Sequence, residues 1–487
     1  MRSLEQNRRV LSTDMRATRQ DVKCRVRQAV RSLLLIGCTL PLLLSPERLS
    51  AQTLEEAFVE AYRNNPSLNA ARALLRQTNE QAPQARGGWR PTITFTGSAG
   101  YTDVKQASNG RTLLNDSSQP RSVGLQASQP VYTFGRVKAR VEAADATIES
   151  QRAQLFQTEQ DTFVSTATAY MAVIRERETL KLRRDNLRSL QEQLVATRER
   201  FTINDVTRTD VAQAESSVAA AEANVTRSEA SLAQAEASFA RVVGFPPRNL
   251  EFPDMPAGLP ASKSMAIEAA KDGNFTVLSA RFAEAAAARQ IEAAQSDLLP
   301  SVDLVSSLDH SENSSGGDNE NFAASISLRL TVPLYQSGVT YSKAREAREN
   351  HNRLRLTTLD QERSATEGTE SAYESLRGNQ SQFASLEAQI EAAAIALEGV
   401  RNEASVGART VIDVLDAERT LLNARIRLVQ ASYDVHVASY RLLAAMGRLT
   451  AQDLELPVAY YDYDRHYREV RSRWFGTGTG ENGFYGN

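Results

Sequence analysis

Apolar and polar residues alternate strictly in four stretches of the chain. In 92–101 the apolar Ile93, Phe95, Ala99 and Tyr101 all hold odd positions. In 122–131, Val123, Leu125, Ala127 and Val131 alternate with Ser122, Gly124, Gln126 and Ser128. The pattern returns with Val302, Leu304 and Leu308, then with Phe322, Ile326, Leu328, Leu330 and Val332. A period of two marks a strand, and about ten residues suit a tilted transmembrane strand. The segments between read as helices. Leu54 to Gly88 is Ala- and Glu-rich, with Pro83 expected to bend its last turn. Arg136 to Phe201 contains neither Pro nor Gly, and a helix of that length spans ~99 Å. Arg208 to Val243 predicts a shorter one of ~54 Å, and Leu54 to Gly88 one of ~52 Å. Two short helices stacked end to end would match one long helix. Eleven alanines among residues 212–240 allow close approach, so long helices can wrap side by side as a coiled-coil-like wall.

The chain is a duplication. Shifted by 209, Asn65, Arg72, Gln81 and Pro91 fall on Asn274, Arg281, Gln290 and Pro300. Shifted by 203, Pro130, Tyr132 and Gly135 fall on Pro333, Tyr335 and Gly338, and Thr207, Asp210, Val211, Ala214 and Glu215 on Thr410, Asp413, Val414, Ala417 and Glu418. The expected organisation is an export signal over 1–51, a first repeat over 52–245, a Pro-rich linker over 246–262, a second repeat over 263–448, and an equatorial segment with a flexible tail over 449–487. Each repeat supplies a helix, a strand pair (about 91–131 and 300–333) and a long helical hairpin.

Arg25, Arg27 and Arg31 precede the apolar run Leu33 to Leu44, and small residues follow at Ser50 and Ala51. This is a secretory-signal pattern, and the run is too short for a spanning helix. Leu35-Ile36-Gly37-Cys38 offers a rival lipoprotein reading, against which the apolar run continues past Cys38. Residues 1–51 carry a net +6 and the remainder −8, so an acidic body argues against nucleic-acid binding. Both cysteines, Cys24 and Cys38, precede the body, and the four histidines are widely spaced. No disulfide scaffold, Cys-rich zinc site or thiolate nucleophile is expected there. No phosphate-binding, nucleophile-elbow or zinc-protease motif occurs. Gly478-x-Gly480-x-x-Gly483 matches a dinucleotide fingerprint but has no strand before it. No enzyme and no cofactor is expected.

Segments 102–120 and 309–321 are rich in Asn, Asp, Ser and Gly, as extracellular loops of barrels are. Tyr132 and Tyr335 stand where strand passes to helix, either as an aromatic girdle or as strand-end packing. Four strands cannot close a barrel, and an open edge cannot face lipid. Several chains must contribute strands if the sheet spans a membrane.

This exported, duplicated chain resembles the TolC family of outer-membrane efflux and secretion channels over about residues 53–460. The carriers are Asn65-Pro66, Pro91, Pro130-x-Tyr132-x-x-Gly135, Pro333-x-Tyr335-x-x-Gly338, Thr209-Asp210 and Gly407 to Asp416. The tail from Glu455 to Phe475 looks like that of the type I secretion branch. The resemblance implies an α+β membrane fold: a homotrimer with a 12-stranded β-barrel in the outer membrane, continued by a periplasmic α-helical barrel. It implies an exit duct that works with a periplasmic adaptor and an inner-membrane transporter of ABC, RND or similar type. A periplasmic coiled-coil adaptor without a pore is the alternative.

The hairpin turns are Phe201 to Thr207 and Ser405 to Thr410, with Asn204 and Gly407 at equivalent positions suited to the left-handed conformation. Thr207-x-x-Asp210 and Thr410-x-x-Asp413 have the capping-box pattern. Asp416 shares a helix face with Asp413. The resemblance makes Asp413 and Asp416 the acidic ring of a narrow entrance that a multivalent cation could plug, and Arg409 the link to Thr209 and Asp210 that holds it closed. Capping and a solvated charged surface are the plainer readings. Ala404 replaces a tyrosine of the family's tip, which puts the full set of links in doubt.

Overall fold

The computed structural model describes residues 52–109, 111–314 and 318–478. The export-signal, Cys38 and Gly480/Gly483 readings lie outside these residues. Helix α1 (Leu54–Asn64) is capped by Thr53 and followed by α2 (Pro66–Asn79), α3 (Gln81–Arg86) and a 3-10 turn, Gly87–Trp89. The single helix expected over Leu54 to Gly88 is therefore broken. Pro66 disfavours helical geometry at Asn65, which lies at φ −63°, ψ 121°. The Asn65 side chain accepts from Ser67 N (2.9 Å) and Leu68 N (3.3 Å), so the break restarts as an N-cap.

Strand β1 (Thr92–Ala99) is followed by β2 (Thr102–Ser108), β3 (Arg111–Ser118) and β4 (Arg121–Tyr132). Helix α4 (Arg136–Thr202) and helix α5 (Arg208–Val243) form the first hairpin. After the linker come α6 (Lys263–Gly273) and α7 (Phe275–Ser296), then β5 (Ser301–Glu312) and β6 (Glu320–Thr331). Helix α8 (Val339–Ser405) and α9 (Val411–Ala445) make the second hairpin, and the short α10 (Arg465–Val470) lies in the tail. Both α4 and α8 have 67 residues, ~100 Å of helix. No helix among the described residues is long and apolar enough to cross a membrane.

The antiparallel sheet has the order β1-β4-β5-β6. Its register aligns Phe95, Leu125 and Leu308 in one row, and Val123, His310 and Phe322 in the next. This face is exposed: Phe95, Leu125, Phe322, Ile326, Leu328 and Leu330 all face outward. Rows on the other face pair Ser98 with Ser122 (2.7 Å) and Ser307 with Ser325 (3.0 Å). One face is thus apolar and the other hydroxyl-lined, as a barrel with lipid outside and water inside requires. The segment 102–120, expected as a loop, is a second hairpin, β2-β3. The ladder was hidden because the apolar residues of this segment, Val104, Ala107, Leu113 and Leu114, follow no period of two. Likewise β5 and β6 run well into 309–321, leaving only 313–319 between them.

The hydrophobic core sits where α1 and α2 pack on the middle of α4. Phe58 meets Phe163 and Tyr440 edge-on at 5.2 and 5.6 Å, and Tyr170 and Phe239 are fully buried. The two repeats close in the same way. Asn65 Nδ2 donates to Val242 O at the end of α5 (2.9 Å), and Asn274 Nδ2 donates to Ala445 O at the end of α9 (3.0 Å). Each otherwise orphaned helix-end carbonyl thereby gains a partner. The linker is anchored by a parallel bridge between Gln52 and Leu250 and by His436 Nε2 against Pro253 O (3.2 Å).

The segment after Gly447 extends well beyond the equator where the sequence reading put it. Ala451 N donates to Glu159 on α4, Tyr461 N to the Tyr62 hydroxyl, and Tyr467 to Asp145; Arg90 then donates to Arg473 O. The tail climbs the groove between α2–α3 and α4 as a strap. It reaches the foot of β1.

Candidate functional site at the hairpin tips

Each long helix ends in a Schellman-type turn. Gly407 N donates to Ala404 O (3.1 Å) and Ala408 N to Glu403 O (2.9 Å); Asn204 N and Asp205 N do the same to Phe201 O and Arg200 O, at 3.0 Å each. Gly407 lies at φ +80° and Asn204 at φ +58°. These are the left-handed positions the sequence indicated.

The returning helices begin with full capping boxes. Thr207 N and Oγ1 donate to Asp210 Oδ2 at 2.8 and 2.7 Å, and Asp210 N donates back to Thr207 Oγ1. Thr410 and Asp413 repeat this at 2.9 and 2.8 Å. The backbone bond from Thr207 holds the Asp210 carboxyl below the usual range, and that from Thr410 does the same for Asp413. Both carboxylates therefore stay charged at neutral pH. Capping uses Oδ2 in each, so Oδ1 is outside the cap.

Asp416 pairs with Arg419 one turn on, at 3.0 Å. Arg409 Nε donates to Glu403 Oε2 at 2.8 Å. Within one chain the structure does not join Arg409 to Thr209 or Asp210; its partner is on its own hairpin. Thr209 is exposed in the first turn of α5.

One pair was missed from the sequence. Arg401 Nη2 meets Glu418 Oε1 at 2.5 Å, with the Glu418 side chain only 8% exposed. Ser189 on the other hairpin reaches the same oxygen at 3.5 Å, and Glu418 Oε2 is buried without a partner. The first repeat holds the equivalent pair, Arg198 with Glu215, at 2.6 Å on the surface. The signal was present: the 203-residue shift carries Arg198 onto Arg401 as well as Glu215 onto Glu418.

At the other end of the hairpins, strand passes to helix through two left-handed residues in each repeat. Phe134 and Gly135 have φ +46° and +86°; Ser337 and Gly338 have +52° and +75°. Pro130 sits at a bulge in β4 before Tyr132. The Tyr132 ring packs edge-on to Phe134 at 4.5 Å, and Tyr335, two residues after Pro333, is exposed.

A profile of the family described as "Outer membrane efflux protein" matches residues 57–244 and 266–448, which are the two repeats. The chain belongs to that family. This efflux protein is 34% identical over 430 residues to outer membrane efflux protein BepC of Brucella suis, covering 88% of this chain and 92% of that one. It is 26% identical to outer membrane protein TolC of Escherichia coli, covering 83% and 84%. Identity to the alkaline protease secretion protein AprF of Pseudomonas aeruginosa is also 26%, covering 86% and 89%. The fold matches the outer membrane protein VceC of Vibrio cholerae with a TM-score of 0.69 at 22% identity, covering 81% and 96%. It matches the open-state MtrE channel of Neisseria gonorrhoeae with a TM-score of 0.67 at 22% identity, covering 81% and 88%. The efflux protein is thus an exit duct of the Gram-negative outer membrane, extending into the periplasm. The poreless adaptor reading is not favoured.

Proposed function

We propose that three copies join β6 of one chain to β1 of the next, giving a passive duct gated at its hairpin tips. The observation that carries the joining of copies is the four-stranded sheet with an apolar outer face and two outer strands, each paired on one side only; the number three follows from membership of the family. Lipid offers no partner for those edge groups, so only closure satisfies them. The periplasmic adaptor docks on the hairpins, and an inner-membrane transporter of ABC or RND type supplies the energy. Proteases and pyoverdine are the cargoes that the relatives' names bring forward.

The gate reading rests on the charge gathered in the tips. Asp413 and Asp416 from three chains form an acidic ring at the entrance, open to a multivalent cation. Arg409, exposed and half-committed to Glu403, links to Thr209 and Asp210 of the neighbouring copy in the closed state. The adaptor breaks those links and the hairpins move outward. Single-channel conductance of the reconstituted protein tests this. A trivalent cation on the periplasmic side should block wild type but not Asp413→Asn/Asp416→Asn. Arg409→Ala/Asp210→Ala should raise the resting conductance. Unchanged block and unchanged conductance would return these residues to capping and surface roles.

A further inference from the structure

The strap ends in an unusual place. From Glu159 to Asp145, its contacts on α4 climb ~21 Å towards the sheet. Val470, the last residue of α10, is buried, and the chain then rises to Arg473. Arg90 holds it there: Nη1 donates to Arg473 O at 2.6 Å, and the guanidinium lies 4.8 Å from the centre of the Trp474 ring. Arg90 stands two residues before β1, and the carbonyl of Trp89 accepts from Gln129 of β4 at 2.5 Å. Trp474 and Phe475 are therefore fixed at the periplasmic foot of the sheet. They are 59% and 89% exposed.

We propose that the Trp474–Phe475 tip is an interfacial anchor, seated among phospholipids of the periplasmic leaflet of the outer membrane. The site rests on the membrane location of the sheet and is independent of the gate at the far end of the hairpins. Three observations choose lipid as the occupant. Apolar surface leads from the sheet towards the tip, since Trp89, next to Arg90, and Ile93, at the start of β1, are both exposed. The chain has two tryptophans, Trp89 and Trp474, and both stand at this level, where indole rings favour the membrane–water boundary. Arg471 is exposed and packs on Tyr467 at 5.6 Å, so one cationic head on a flexible stem stands beside the tip, where it can meet a lipid phosphate; Arg473 is held by Gly478 O. Phenylalanine left in water gains nothing, whereas in the headgroup boundary its burial stabilises the docked strap.

The anchor gives the strap a second attachment. One end grips the equator of the helical wall through Glu159. The other grips the bilayer, which fixes the height of the membrane on the barrel.

Bromine quenching of tryptophan tests the proposal. Trp89→Phe leaves Trp474 as the reporter. The assembled variant is reconstituted into vesicles of phosphatidylcholine and phosphatidylglycerol with bromines on the acyl chains. The expected result is a loss of Trp474 emission that is deepest with bromines near the headgroups and absent with aqueous iodide. Full emission in every brominated vesicle overturns the proposal. Quenching by iodide would then mean a tip in water, and resistance to both would mean cover by a second copy. As a second reporter, Phe475→Cys carrying a polarity-sensitive dye labels one site in protein produced without residues 1–51, because no cysteine follows Cys38. In vesicles containing anionic lipid its emission should lie well to the blue of the free dye in water; a water-like emission again counts against the anchor.

Discussion

Replacing Glu159 by glutamine should tighten the strap at alkaline pH and leave it unchanged in acid. Glu159 is 6% exposed beneath the strap, and Ala451 N donates to it at 2.7 Å. Burial pushes its carboxyl from the ordinary 4.5 up to about 7, against the opposing pull of the Ala451 bond and Arg72, while Asp453 adds to the rise. A folded value above the unfolded one means the docked strap holds a proton that the released strap gives up. Below about 4.5 both states are protonated and the group costs nothing. The cost grows as pH rises through that window and is complete above about 7, where it amounts to at most about 3 kcal/mol, the limit in which release of the strap returns the carboxyl to water. Glutamine keeps an oxygen for Ala451 and never ionises. Hydrogen exchange of residues 449–456, corrected for the intrinsic effect of pH, reads the opening of the strap. At pH 8 Glu159→Gln should show greater protection than wild type, by up to roughly 100-fold; at pH 4.5 the two should nearly coincide. Equal ratios at both pH values, or weaker protection of the variant at pH 8, would refute the reasoning.

Three further outcomes are expected. Arg401→Ala should destabilise its hairpin by about 3 kcal/mol because it strands the buried Glu418 carboxylate, whereas Arg198→Ala, on the exposed equivalent pair, should cost at most about 1 kcal/mol; denaturant unfolding followed at each hairpin compares them. Thr207→Ala and Thr410→Ala should each cost about 1 kcal/mol of tip stability, seen as faster amide exchange at the tips. The lowered carboxyls of Asp210 and Asp413 make the wild-type caps contribute above the ordinary carboxylate range, with the contribution lost as pH falls through their folded values. Gly447→Ala should prevent assembly, because its Cβ would lie 1.9 Å from Gly273 O at a φ of +75°; Gly378→Ala, with open space around it, should leave a normal oligomer on size-exclusion chromatography.

The parts of this protein with a strong period were legible. Helices α4 and α5 end within a residue of where the absence of Pro and Gly placed them, and the alternating strands pair in one sheet. The capping boxes followed from Thr-x-x-Asp spacing alone. What was missed lacked a period or depended on distant partners. Hairpin β2-β3 has a few apolar residues, Val104, Ala107, Leu113 and Leu114, but they do not alternate with polar ones. The break at Asn65-Pro66 was in plain view, yet the Ala-rich pattern on both sides outweighed it. Arg401 and Glu418 are 17 residues apart on opposite arms of a hairpin, and the burial of one of them follows from how the two hairpins pack. The strap's path is set by tertiary contacts, among them Arg152 with Asp464, and Arg72 held between Tyr62 and Tyr461.

The equal length of α4 and α8 has a consequence for how this chain can vary. Both hairpins rise from one sheet and end at one level, so each serves as a gauge for the other. Inserting a single residue in α4 would turn everything beyond it by about 100° and advance it by ~1.5 Å. The packing of α4 on α5, α7 and α9 beyond that point would fall out of step. Above the sheet no such gauge operates. There the first repeat carries the whole extra ladder β2-β3, where the second has only the turn 313–319. Along the length of the hairpins and sheet, growth and shrinkage of the sequence are thus easiest at the outward-facing end, and a scan of single-residue insertions from α4 through β1–β6 to α9 should find its tolerant sites there.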